Sequence, residues 1–237
     1  MKRACVLLAT LAVVSASGFG PDFTAYTQLL NRHVCRGWVI YRELVKDTAA
    51  AAVEKQFASV TSTQYDAMNE NDRIAFLINM YNFYTLLLIK NHYPTKSIRD
   101  IDKPWDTKFV PLFGDKVSLN HVEHDMLRKQ FNEPRLHFAL NCASAGCPAL
   151  AREAYTGGQL DRQLDNAAKA FLSDTTKNRI DGTKLKLSKI FQWYGADFKA
   201  KYGGYERYVK KTLELDGTFR VSFTDYDWNL NEVQSCE

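Results

Sequence analysis

The chain has 237 residues, 46% of them hydrophobic and 24% charged, with 31 Lys and Arg against 27 Asp and Glu and a formal net charge of +4. So slight a basic excess, with no concentrated stripe of Lys and Arg, excludes nucleic-acid binding through a basic face. The composition also excludes a disordered chain, and the length suffices for one large core.

Lys2 and Arg3 precede an apolar run from Ala4 to Val14, and the small residues Ser15, Ala16, Ser17 and Gly18 follow it. This layout predicts a secretory signal peptide over residues 1–18, because the run is too short to span a bilayer comfortably and ends in small residues. The expectation is export, to a periplasm or outside the cell, of a single domain over residues 19–237 with no membrane span after cleavage. Loss of Lys2 and Arg3 leaves 29 basic residues against 27 acidic ones. Loss of Cys5 leaves Cys35, Cys142, Cys147 and Cys236. An even cysteine count in an oxidising compartment permits two bridges in any of three pairings. Cys35 lies near the mature start and Cys236 is penultimate, and chain termini often lie close together, so these two are a candidate pair. Cys142 and Cys147 are then left to each other, or free.

Residues 22–32 and 38–46 read as helical or partly so. The run Asp72 to Pro94 predicts a helix of about 20 residues, framed by the cap candidates Asn69 and Asn71 and by Pro94. Apolar residues lie on all its sides, which makes it the buried central helix. Asn79 and Asn82 interrupt it one turn apart, and a buried amide without a partner costs roughly 1–3 kcal/mol, so both must bond backbone, water or a ligand. Within Val117 to Phe131, Asn120 and Glu123 predict a capping box. His121 and His124 have a spacing that could hold a metal, but no third ligand is fixed nearby, so no metal is expected.

Leu136, Phe138 and Leu140 alternate as a strand that runs into the loop NCASAGCPAL. On such a strand His137 and Cys142 would face opposite ways. Leu160 to Leu172 is an amphipathic helix, and Lys184 to Ser188 alternates like an edge strand whose Ser188 can cap the next helix. Gly203 and Gly204 precede a last helix, and Phe219, Val221 and Phe223 alternate as a strand. The fold class is α+β: a helix-rich single domain with a small, mostly antiparallel sheet around the cysteine loop and the C-terminus.

The segments DRIAFLINMYNFYTL, HYPTKSIRDI, SLNHVEH, HFALNCASAGCPAL, AYTGGQLDRQLDNAAKAFL, LSKIFQWYGADF and YDWNLN together resemble the family called domain of unknown function 547, from about Asp72 to Asn231. That family's chemistry is not established, so the resemblance implies motif positions rather than a reaction. Those positions are Arg73, Asn79, Tyr81 and Asn82 in the central helix, then Glu123 and His124. His137, Asn141, Cys142, Ser144, Cys147 and Pro148 follow, with Trp228 and Asn231 at the end.

Three kinds of chemistry suit these residues. In a cysteine-dependent hydrolase or acyl-transferase, Cys142 is the nucleophile and His124 or His137 the base. Asn79, Asn82 or Asn141 then orients that base or binds an oxyanion, with Glu123 in the same candidate set. A Cys142 to Cys147 disulfide, structural or redox-active, removes that nucleophile. A non-catalytic domain would instead line a pocket with the buried asparagines and the Trp/Tyr-rich segments, with Arg73, Tyr81, Ser144 and Cys147 as binding candidates for a small-molecule or peptide-like ligand. Trp105, Trp193 and Trp228 suit an ordinary core more often than such a pocket, and Trp228 reads as a core plug. No nucleotide fingerprint is present, and no cofactor is expected.

Overall fold

The computed structural model describes residues 21–236, so the signal peptide expected over residues 1–18 lies outside the described residues. The described residues begin with α1 (Thr24–His33), a short hairpin of β1 (Val34–Cys35) and β2 (Trp38–Val39), then α2 (Tyr41–Leu44), α3 (Ala49–Ala58) and α4 (Ser62–Asp66).

α5 (Glu70–His92) is the predicted central helix. Asn69 caps it, its Oδ1 accepting the Asp72 N–H at 2.9 Å. Glu70 and Asp72 sit in its first turn and Lys90 and His92 in its last, the signs that the helix dipole favours. Every residue from Ile74 to Leu86 is buried, because α1, α3 and the later segments wrap the helix on all sides. Phe57 of α3 stacks on Phe83 with ring centroids 5.4 Å apart, and Tyr26 of α1 meets Phe83 edge-on at 5.8 Å.

β3 (Val110–Leu112) and β4 (Asp115–Val117) form a second hairpin, which leads into a π-helix, His121–Arg128. The predicted capping box is not formed. Asn120 already has helical backbone angles and its amide donates to Asp106 Oδ1 at 2.7 Å, while Ser118 Oγ accepts the His121 N–H at 3.1 Å. The helix therefore starts earlier than the sequence reading placed it, and Glu123 is free to turn inward.

The strand expected over Leu136 to Leu140 is instead a 3-10 helix, Pro134–Phe138. Pro134 at its first turn and the Glu133 carboxylate, which accepts the Arg135 N–H at 3.0 Å, favour that start. The alternation misled because the segment lies between two cores. Residues two apart on a three-residue turn point about 240° apart. Leu136 accordingly joins the core around α5, and Phe138 joins a smaller one with Phe171, Phe191, Phe198 and Tyr208.

α6 (Leu160–Ser173), β5 (Arg179–Asp181), β6 (Lys184–Leu187), α7 (Ile190–Trp193), α8 (Gly195–Tyr202), α9 (Tyr205–Thr212) and β7 (Arg220–Phe223) complete the element order. β6 is not an edge strand: it lies between β5, antiparallel to it, and β7, parallel to it. Leu185 and Leu187 face the second core while Lys184 and Lys186 face out, so the alternation was read correctly and the partner arriving from far along the chain was not. The architecture is helix-rich α+β with three small separate sheets among the described residues. Beyond β7 the tail pairs with the cysteine loop through Ser144 and Leu230 and with the first hairpin through Val39 and Glu232. Both cysteine pairs lie at disulfide distance, with Cα separations of 5.4 Å for Cys35 and Cys236 and 6.0 Å for Cys142 and Cys147. No helix among the described residues is long and apolar enough to cross a membrane.

Candidate functional site

The loop Asn141 to Ala149 is held in shape by a ladder of buried asparagines. Asn82 accepts the Asn141 N–H at 2.8 Å and donates to the Ala139 carbonyl at 2.9 Å. Asn141 donates to the Pro148 carbonyl at 2.8 Å, and its own carbonyl oxygen accepts the Ala143 N–H at 3.0 Å and the Asn231 amide at 3.2 Å. Tyr41 closes the series by donating to Asn231 Oδ1 at 2.8 Å. Asn141 thereby forms the local turn that lets the buried Ala143 take a left-handed backbone, with φ of 58°. Asn79 serves a different segment, pairing both its amide atoms with the Tyr155 backbone at 2.8 and 2.9 Å. Asn79, Asn82 and Asn141 are therefore all engaged with structural partners, and none of the three is among the walls of the cavity that Cys142 faces.

This ladder presents Cys142 to a cavity of about 260 Å³. Tyr81, Glu123, His124, His137, Trp193, Tyr194, Tyr226 and Trp228 are among its walls. Cys142 is half-buried at the cavity edge and Cys147 is buried behind it. Cys147 Sγ accepts the backbone N–H groups of Cys142 at 3.0 Å and Ser144 at 3.4 Å, and the Tyr226 hydroxyl lies 3.3 Å from it and 3.2 Å from Cys142 Sγ. Burial, and then the nearby Glu123 carboxylate, push the Tyr226 phenol above its ordinary value, which keeps it a hydrogen-bond donor. Among the described residues no imidazole is hydrogen-bonded to Cys142 Sγ.

Glu123 and His124 come from the π-helix, a geometry that often marks functional sites. Glu123 is buried, and its Oε1 accepts the Tyr194 hydroxyl at 2.8 Å. His124 Nδ1 accepts from Arg128 at 3.1 Å and lies 3.9 Å from Glu123. Arg128 makes a two-pronged pair with Asp197, at 2.7 and 3.0 Å. His137 donates from Nε2 to the same carboxylate at 2.7 Å and stacks on Tyr194 with centroids 3.8 Å apart. Burial holds the His137 imidazole below its ordinary value, outweighing Asp197 and Glu123, so the ring is neutral near pH 7 and Arg128 supplies the charge that Asp197 meets. Burial alone would raise the Asp197 carboxyl, but hydrogen bonds from His137 and Arg128 hold it well below the usual range.

His137 and Cys142 line one cavity, because the 3-10 helix, unlike a strand, turns the imidazole toward it. Tyr81 and Glu123 are there too, whereas Arg73 and Ser144 are not among its walls. Ser144 supports the loop by its backbone, and Arg73 lies near Tyr65 at the start of α5. Trp228 lines the cavity and is only partly buried, so it is a wall rather than a core plug. Trp105 and Trp193, read as ordinary core aromatics, are cavity walls, and Tyr194 and Tyr226, with Arg128 and Asp197 behind them, escaped the sequence reading. Several stand inside the segments quoted for the resemblance, but no spacing rule links them to the cysteine loop. Among the described residues no three of His, Cys, Asp and Glu converge to hold a metal ion.

Residues 65–172 match the model of a family described as protein of unknown function, DUF547, so the chain resembles that family over a span holding α5, the π-helix and the cysteine loop. The aromatic walls Trp193, Tyr226 and Trp228 lie beyond that span. No curated protein and no solved structure matches the chain.

Proposed function

We propose that the protein is an exported thiol–disulfide exchange protein in which Cys142 is the attacked sulfur and Cys147 the leaving one. The asymmetry of the pair carries this reading: one sulfur faces a cavity and the other is buried against two N–H donors, while the Tyr226 phenol stands within reach of both. A thiolate entering the cavity bonds to Cys142 Sγ, the Cys142–Cys147 bond breaks, and its electron pair leaves on Cys147. The N–H groups of Cys142 and Ser144 and the Tyr226 hydroxyl then meet that charge as it forms, which lowers the barrier to leaving. A second thiol, from the same molecule or from a second thiol molecule, attacks the sulfur joined to Cys142, releasing the Cys142 thiolate and the disulfide of the substrate. Two electrons pass from the two substrate thiols to the protein pair.

Equilibration in glutathione buffers tests this directly. The expected result is that the Cys142–Cys147 pair titrates within roughly −180 to −300 mV while the Cys35–Cys236 pair stays bonded. A Cys142–Cys147 pair that stays bonded throughout would make it purely structural. Export itself predicts that the mature protein begins near Gly18 or Phe19, which N-terminal sequencing reads.

A second reading rests on His124 and His137 lining the same cavity as Cys142. Once reduced, Cys142 could act as an acyl-transfer nucleophile with His124 as base. It stands second because the hydrogen-bond partner of Cys142 Sγ is the Tyr226 phenol and not an imidazole. Ester hydrolysis that appears on reduction and vanishes in Cys142→Ala would favour it.

A further inference from the structure

The cavity carries a local charge of the opposite sign to the whole chain. Glu123 is a buried carboxylate on its wall, and among the described residues no lysine or arginine lies within ion-pair distance of it. The nearest strong cation, Arg128, is engaged by Asp197 through both prongs of its guanidinium. His137 is held neutral, and the Nδ1 of His124 faces the Arg128 guanidinium at 3.1 Å. The remaining walls are largely aromatic: Trp193 meets Tyr226 with centroids 4.8 Å apart, and Tyr226 meets Trp228 at 4.7 Å. These rings already show affinity for cations, since Arg128 stands 4.9 Å from the Tyr194 centroid and Arg99 stands 5.2 Å from that of Trp228.

We infer that the cavity selects small aminothiols and their disulfides, with the substrate ammonium between Glu123 and the aromatic walls and its sulfur at Cys142. This rests on the exchange reading and adds the substrate class to it. Glu123 accepts from the Tyr194 hydroxyl and has the Tyr81 phenol bonded to its side chain as well, and the remaining lone pairs of its two oxygens still leave capacity for a further donor. A cation against aromatic faces gains further attraction once water is excluded. An anionic thiol would meet the same carboxylate in a medium of low dielectric and be repelled. The volume of about 260 Å³ fits a molecule of a few heavy atoms and not a folded partner. The excess of 29 basic over 27 acidic residues left once Lys2 and Arg3 are lost gives no field that would attract cations, so any preference for them must come from the cavity itself.

The test opens the oxidised Cys142–Cys147 pair with three thiols of similar size: cysteamine, cationic; 2-mercaptoethanol, neutral; and 3-mercaptopropionate, anionic. Each rate is divided by that of the same thiol with bis(2-hydroxyethyl) disulfide, which removes intrinsic differences in thiol reactivity. The expected order is cysteamine first and 3-mercaptopropionate last, the extremes differing by about tenfold or more. Glu123→Gln should collapse that ratio. Because the substitution removes a buried group and the variant can fail to fold, a second arm uses the unaltered protein: n-propylammonium should slow opening by cysteamine, and propionate should not. Equal normalised rates for the three thiols, or no effect of n-propylammonium, would overturn the aminothiol preference while leaving exchange intact. Failure of every thiol to open the pair would overturn the exchange reading and this inference with it.

Discussion

At the scale of single residues, the two sulfurs differ in surroundings more than in sequence context. Each follows a small or polar neighbour in one ten-residue stretch, and only the fold decides that Cys142 meets the cavity and Cys147 meets donors. His137 shows the same dependence. Its imidazole is buried and neutral, with the folded value below the ordinary one near 6.5. As pH falls below about 6.5 the unfolded chain takes up a proton that the native ring refuses, so native stability must decline, by up to about 1.4 kcal/mol per pH unit for one group. Urea unfolding at pH 7.5 and pH 5.5 should show that decline, and His137→Asn should flatten it. Asp197, whose carboxyl is held low, stays ionised in the native state across this window and adds stability that is lost only in stronger acid.

At the scale of elements, α5 is the part the sequence announced most clearly. Its cap, its all-round apolar surface and its two asparagines are local features, and local features are what a sequence displays. The asparagines' partners are the Ala139, Asn141 and Tyr155 backbones, more than fifty residues away, and no periodicity reports them. Asn82 carries the loop that carries the sulfur. Asn82→Ala leaves the buried Ala139 carbonyl and Asn141 N–H without partners, an expected loss of about 2–5 kcal/mol measurable by chemical denaturation. The 3-10 helix Pro134–Phe138 marks where period-two reasoning fails: a segment squeezed between two cores hides alternate residues without being extended. The inward turn of Glu123 was hidden for a related reason, because Asn120 and Glu123 satisfy a capping rule that Ser118 pre-empts.

At the scale of the molecule, the cavity is assembled from two distant stretches of chain. One comprises α5, the π-helix and the cysteine loop. The other, from Ile190 to Trp228, contributes the aromatic wall. The tail that bears Tyr226 and Trp228 is fastened to the cysteine loop by backbone bonds from Ala145 to Asn229 at 2.7 Å and from Gly146 to Asp227 at 2.8 Å. It is fastened again at its end, where Cys236 lies against Cys35. The pairing of the outer cysteines was legible because chain ends tend to meet, whereas the wall they secure was not, since its residues read singly as ordinary core aromatics. The most direct test of the exchange account joins all of this. Oxidised protein is mixed briefly with 2-mercaptoethanol and quenched in acid, its free thiols are alkylated, and the products are mapped by mass spectrometry. The account predicts mercaptoethanol on Cys142 and the alkyl group on Cys147. Mercaptoethanol on Cys147, with Cys142 alkylated, would contradict it.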